Sequence, residues 1–349
     1  MIGPAQRLLL TGANGFVGRW VLERLAHHAP DVEVIAGTYR GELAMPLAQI
    51  ARFDICDAAA VDELIRATRP MAIIHLAAIS NVKEARDTPR QAFATNLHGT
   101  LNLAESTLKH CPTARFVFIS SSEVYGGTGR SSRGPLDETA LLDPENPYAA
   151  AKAAADLAIG QMAHDGLQAI RVRPFNHTGP GQTERFVIPA FAAQIARIEA
   201  RAQEPVMRVG NLEASRDFVD VRDVSDAYIR LALSPLCFEP GLVLNLGSGS
   251  VRRIGDVLDE LVSLAAARIR IETDPSRLRA KETPSIRADT SRIRELIGWE
   301  PKIPWQKTLA DLLGFWRDRV GVDGGPRERL RESSEKADPR VFKRDDLPT

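Results

Sequence analysis

The sequence predicts an α/β protein organised on a doubly wound parallel sheet with a smaller α/β lobe attached. Three observations lead there. Short apolar runs alternate with segments of helical periodicity through the first half of the chain, a turn with regularly spaced glycines joins the first run to the first helix, and beyond Pro174 the composition shifts to loops rich in Gly and Pro.

The elements follow in order. Arg7-Leu8-Leu9-Leu10 is an apolar run ending in Thr11-Gly12, and residues 15–26 carry apolar side chains at helical spacing. Residues 32–37 read as a strand, 59–68 as a helix, 72–76 as a buried strand, 88–110 as a long helix and 115–120 as a further strand. The Ala-rich run 146–164 is a strong helix former behind a Pro-rich loop, and 167–173 supplies another strand. Such alternation predicts the nucleotide-binding arrangement known as the Rossmann fold, with ligands at the carboxyl ends of the strands. Residues 1–173 are assigned to this unit, with the segment 215–235, helical over 223–232, returning to it. Residues 174–214 and 236–320 form the substrate lobe, with a helix over 188–202 and short strands near Met207 and Val243. The tail, 321–349, is charged and poor in large apolar residues, so no fixed structure is expected there.

Bulk properties exclude several function classes. Lysine plus arginine equals aspartate plus glutamate, 45 each in 349 residues, so no global field gathers nucleic acid or an anionic membrane. An anionic ligand must be held by local arginines. No apolar run is long enough for a membrane span, and residues 1–7 lack the pattern of a signal peptide, so a cytoplasmic location is expected. Cys56, Cys111 and Cys237 lie too far apart in sequence for a CxxC pair, which argues against a disulfide framework and leaves no metal site to expect.

The turn Thr11-Gly12-Ala13-Asn14-Gly15-Phe16-Val17-Gly18 sits between strand and helix. Gly12 permits the turn, Gly15 lets backbone amides approach a pyrophosphate, and Gly18 lets the helix pack close to the sheet. Asn14, Phe16 and Val17 complete this cofactor loop. A carboxylate at the end of the second strand would mark NAD, but that strand ends Ala36-Gly37-Thr38-Tyr39-Arg40. Thr38 and Arg40 can bind a 2′-phosphate, so NADP (NADPH) is the expected cofactor, with NAD left open. Asp54, with Ile55, and Asp57 are placed either at the adenine edge or in turns and caps.

Tyr148 and Lys152 are spaced i, i+4 at a helix start, on one face. A nearby ammonium favours the phenolate of a group that otherwise titrates near ~10, which equips Tyr148 to hand a proton to an oxygen gaining charge. A third group should steady that oxygen, and Ser121 in Phe118-Ile119-Ser120-Ser121-Ser122-Glu123 is chosen.

Together, residues 11–18, His75-Leu76-Ala77-Ala78, Asn96, Ser121 and the Tyr148/Lys152 pair resemble the extended short-chain dehydrogenases, the family of nucleotide-sugar epimerases, dehydratases and reductases, from about residue 7 to residue 315. The resemblance implies catalytic roles for Ser121, Tyr148 and Lys152, a bracing role for Asn96, and a cofactor groove lined by Leu76, Ala77 and Ala78; His75 is either part of that lining or a packed core residue. Residues 173–182 and 209–218 are similar to the branch acting on GDP-linked hexoses, its 4-keto-sugar reductases more than its 4,6-dehydratases. That likeness implies substrate contacts at Ser80, Ser122, Asn176, Val187, Arg216 and Arg279, the two arginines clamping a diphosphate. Glu123 keeps open the dehydratase alternative, in which it is the base for the C5 proton. The likeness also implies a homodimer in which the helices near residues 91–110 and 148–164 pair as a four-helix bundle.

Overall fold

A computed structural model describes residues 6–41, 43, 48–132, 134–277, 285–323 and 341–342. The first half contains β1 (Arg7–Thr11), α1 (Phe16–His28), β2 (Glu33–Thr38), β3 (Ala48–Arg52), α2 (Ala58–Thr68), β4 (Ala72–His75), α3 (Val82–Asp87), α4 (Pro89–Phe93), α5 (Gly99–His110), β5 (Arg115–Ile119), α6 (Gly126–Ser131), α7 (Pro147–His164) and β6 (Gln168–Pro174). The second half adds β7 (Asn176–Thr178), α8 (Val187–Glu199), β8 (Val206–Val209), β9 (Ser215–Asp220), α9 (Val221–Leu233), β10 (Leu242–Leu246), β11 (Val251–Arg253), α10 (Ile254–Ser263), β12 (Arg270–Thr273), β13 (Ser285–Ile286), α11 (Ser291–Ile297) and α12 (Trp305–Asp323).

Seven parallel strands form the central sheet in the order β10-β6-β5-β4-β1-β2-β3, and Val341–Phe342 pairs along the outer edge of β3. The order reverses beside β1, the switch point at which such sheets bind ligands. Alternate side chains of each strand leave on opposite faces. Leu8, Leu10, Ile74, Val117 and Ile119 join the core under α1 and α9, while Leu9, Ile73, Phe116 and Phe118 join the core under α2, α5 and α7. Burial on both faces explains why these strands read as unbroken apolar runs. A third core gathers α8, α10 and α12 with Met207, Val209 and Phe218, against a small sheet built on β9 and the two-stranded pair β8/β12.

The expected doubly wound sheet is therefore present, with differences of detail. β3 has no counterpart in the sequence reading, because Ala48-Gln49-Ile50-Ala51-Arg52 carries a single large apolar residue. β10, expected in the smaller lobe, extends the main sheet beside β6, its Leu242, Leu244 and Leu246 filling the core under α9. The helix expected over 88–110 is interrupted by a π turn, Ala94–His98. Of the tail, residues 321–323 belong to α12 and 341–342 to the sheet edge, so the expectation of no fixed structure fails there; the remainder lies outside the described residues. No described helix is long and apolar enough to cross a membrane.

Candidate active site

The glycine turn is held by contacts that tolerate no side chain. Gly12 has φ +69, and a methyl group there would stand 2.9 Å from the amide nitrogen of Ala77, so the turn lies flat on the exit of β4. A methyl group on Gly18 would fall against backbone carbonyl oxygens, 2.7 Å from that of Ala13. Gly15 is the N-cap of α1 and offers no side chain to the first-turn amides, and no acidic residue stands in that turn. The positive end of α1 is thus left for an anion. Asn14 donates from Nδ2 to the carbonyl of Arg40, tying the turn to the end of β2.

At that end the Thr38 Oγ1 is buried and has no hydrogen-bond partner among the described residues, while the Arg40 guanidinium lies exposed over the Tyr39 ring, 4.6 Å from its centre. An unpartnered hydroxyl and an exposed cation, with no carboxylate in Ala36-Gly37-Thr38-Tyr39-Arg40, fit the 2′-phosphate of NADP. Asp54 accepts from the amide of Cys56 at 2.9 Å, and Asp57 caps α2 through the amides of Ala59 and Ala60. Ile55 is buried against Gly99, where an added methyl would lie 2.7 Å from its Cγ2.

Below the groove runs a buried polar chain. Thr100 Oγ1 donates to the Asn96 carbonyl (2.8 Å), so it accepts from His75 Nε2 (2.9 Å); His75 Nδ1 then accepts from Thr11 Oγ1 (2.7 Å), which itself accepts from the Ala77 amide (3.2 Å). Burial, with the charge of Lys152, pulls the imidazole down to about 3, so it is neutral with its proton on Nε2. Asn96 sits in the π turn, and its side chain bonds both the amide (2.8 Å) and the carbonyl (3.1 Å) of Ile79. It fixes the segment that follows Leu76, Ala77 and Ala78.

Asn146 caps α7, accepting from the Ala149 amide at 2.9 Å, and so sets the helix start that presents Tyr148. The Tyr148 phenol is buried beside Ser121; burial pushes it up to about 12, the serine hydroxyl opposes that and nearby Glu123 adds to it. Lys152 donates from Nζ to the Ile119 carbonyl (2.6 Å) and stands over the Phe118 ring at 5.0 Å. Burial lowers it to about 8 against the pull of Asp156. The structure thus brings Ser121, Tyr148 and Lys152 together at the ends of β5 and α7. Glu123 is exposed beside them, its Oε2 accepting from Asn146 Nδ2 at 3.3 Å, while Ser122 is buried at the start of a 3-10 turn.

Other predicted residues are more scattered. Ser80 is exposed just beyond the groove, and Asn176 is exposed at the start of β7. Val187 opens α8, and Arg216 on β9 donates to the Ser215 carbonyl at 2.8 Å. Arg279 lies outside the described residues. Two features were missed. Asp156, fully buried one turn beyond Lys152, accepts from Arg171 and Arg173; a lone acid in an Ala-rich helix was the available signal. The loop after β7 also reaches back to α1, with Trp20 Nε1 donating to the Pro180 carbonyl (2.8 Å) and the His177 ring stacked on Phe16 at 6.1 Å. No cluster of His, Cys, Asp or Glu among the described residues could hold a metal.

A dinucleotide groove ending in a Ser-Tyr-Lys set defines an extended short-chain dehydrogenase/reductase, an NAD(P)-dependent enzyme. The chain belongs to the GDP-mannose 4,6-dehydratase family, whose model matches residues 9–312. It is 35% identical over 316 residues to a GDP-6-deoxy-D-mannose reductase of Pseudomonas aeruginosa, covering 90% of this chain and 98% of that protein. Among solved structures it resembles RMD from Pseudomonas aeruginosa complexed with NADPH, with a TM-score of 0.78 and 34% identity over 90% of this chain and 100% of that one. It also resembles a putative epimerase from Burkholderia cenocepacia J2315, with a TM-score of 0.79 and 32% identity over 90% and 99%.

Proposed function

We propose that this protein reduces the C4 ketone of GDP-4-keto-6-deoxy-D-mannose to GDP-D-rhamnose. The observation that carries the reading is the buried Tyr148 phenol set beside Ser121 and one helical turn from the buried Lys152, at the end of a groove whose β2 terminus suits NADP. The likeness to a GDP-6-deoxy-D-mannose reductase and to a structure holding NADPH supports the same substrate and cofactor.

When bound, NADPH supplies the hydride. Gly12, Gly15 and the α1 amides would hold its pyrophosphate, Asn14, Phe16 and Val17 would line the turn, and Thr38 with Arg40 would take the 2′-phosphate. As O4 of the sugar gains charge, Tyr148 donates its proton and Ser121 hydrogen-bonds the same oxygen. The Lys152 ammonium stabilises the phenolate left behind. Arg216 holds the diphosphate, with Asn176, Ser122 and Ser80 toward the hexose and Val187 toward the guanine.

The test is direct: incubation with the 4-keto sugar nucleotide and NADPH should consume NADPH and yield a GDP-6-deoxyhexose, and no consumption would sink the reading. One observation favours a second reading, 4,6-dehydration of GDP-mannose, because Asn146 holds Glu123 beside the phenol where a base for C5 is needed. A 4-keto product formed from GDP-mannose without added NADPH would establish it.

Leu157 stands 62% exposed on α7, next to α5, an apolar face suited to the four-helix bundle of a homodimer. Three cysteines without disulfide partners suit a cytoplasmic enzyme.

A further inference from the structure

We propose that Arg252 is a further arm of the nucleoside diphosphate site, gripping the diphosphate together with Arg216. The inference rests on the sugar-nucleotide reading above and adds a residue to it.

The register of the small sheet carries the argument. β11 pairs antiparallel with β9, and Arg252 lies directly opposite Arg216. Side chains so paired leave on one face with their Cβ atoms about 5 Å apart. Phe218, two residues on from Arg216, marks that face, because its ring stacks on Trp305 at 6.0 Å and the Arg252 guanidinium covers Trp305 at 4.5 Å. Like charges set opposite each other repel, and an anion held between them offsets that repulsion.

Among the described residues no carboxylate forms an ion pair with Arg252. Its neighbour Arg253 takes both nearby carboxylates, Glu213 at 2.9 Å and Asp256 at 2.8 Å. Asp217 leaves on the other face, its oxygens accepting from Ser248, Gly249 and Ala288. Glu260 and Asp217 favour the Arg252 charge without forming an ion pair with it. The Arg252 Nε is buried with no partner among the described residues. A half-buried guanidinium with its plane fixed by an indole loses little freedom on forking onto phosphate oxygens. The ligand side is also marked, since Ile188, in the first turn of α8, shares the core with Phe218 and Trp305, and that turn carries no acidic residue.

Calorimetric titration of the full chain with GDP and with GMP tests the assignment. Arg252→Gln should lose about tenfold in GDP affinity, as expected for one charge-assisted pair, with a smaller change for GMP. NADPH affinity should be unchanged. Arg252→Lys, which keeps the charge without the fork, should recover part of the loss. Wild-type affinity for GDP in Arg252→Gln overturns the inference alone, and so does an equal loss for GDP and GMP accompanied by lowered melting, which would mark a packing role. A wild-type chain that binds none of GDP, UDP and dTDP overturns both the inference and the substrate reading.

Discussion

Lys152 and Asp156 are consecutive turns of one helix face, both buried, with the carboxylate shared between Arg171 and Arg173 on β6. The groups around Lys152 are the neutral His75 on β4, the Phe118 ring and Ile119 carbonyl on β5, Tyr148 and Asp156 on its own helix, and the two arginines beyond the carboxylate. Burial depresses the ammonium to about 8 and Asp156 opposes this. Activity that needs charged Lys152 is therefore present below that value and lost as pH rises through it. Asp156→Asn removes the opposing charge, so the basic limb of the kcat/KM profile should move to lower pH. A profile superimposable on the wild type, with only melting affected, would count against this coupling.

Tyr148→Phe should lower kcat by about 10²–10⁴-fold, the usual worth of a positioned acid, while NADPH still binds. Ser121→Ala should cost less, since the phenol keeps its proton. Single-turnover reduction together with cofactor fluorescence titration separates chemistry from binding.

Arg40→Ala should weaken NADPH about tenfold and leave NADH nearly unaffected, because the lost pairing involves only the 2′-phosphate. Competition of both cofactors against each variant reads the ratio. An equal loss for both would mean that Arg40 serves the adenine instead.

His75 carries a pH signature of its own. Its folded value, about 3, lies below the ordinary 6.5, so between those limits only the unfolded chain takes the proton. Its contribution to stability is whole above pH ~6.5 and declines by about 1.4 kcal/mol per unit as pH falls toward 3. Urea melts of the wild type and His75→Gln across that window should differ in slope by one proton.

Gly18→Ala should lower both the melting temperature and NADPH affinity, because the methyl meets the backbone of the turn rather than a yielding side chain. Melting scans with and without NADPH check it. Retention of wild-type affinity would show that the turn can shift without harm.

Much of the architecture was legible because strands buried on both faces advertise themselves as apolar runs, as Leu8-Leu9-Leu10 and Phe116-Val117-Phe118 do. The glycine turn was legible because it admits no alternative residue. Elements that depend on partners were not: β7 and β11 have three residues each and β9 carries Ser215, Arg216, Asp217 and Asp220 among its six, so their pairing is visible only in the fold. The same holds within the site. Asn146 both caps α7 and holds Glu123 through its amide, a pairing that only the fold shows.

The strap from His177 to Pro180 belongs to the chain segment that leads into the sugar-nucleotide lobe, yet it rests on Trp20 and Phe16 of the dinucleotide unit. The strap and the cofactor turn are thereby tied to one another, so a coenzyme that steadies the turn should also steady the segment leading to the substrate.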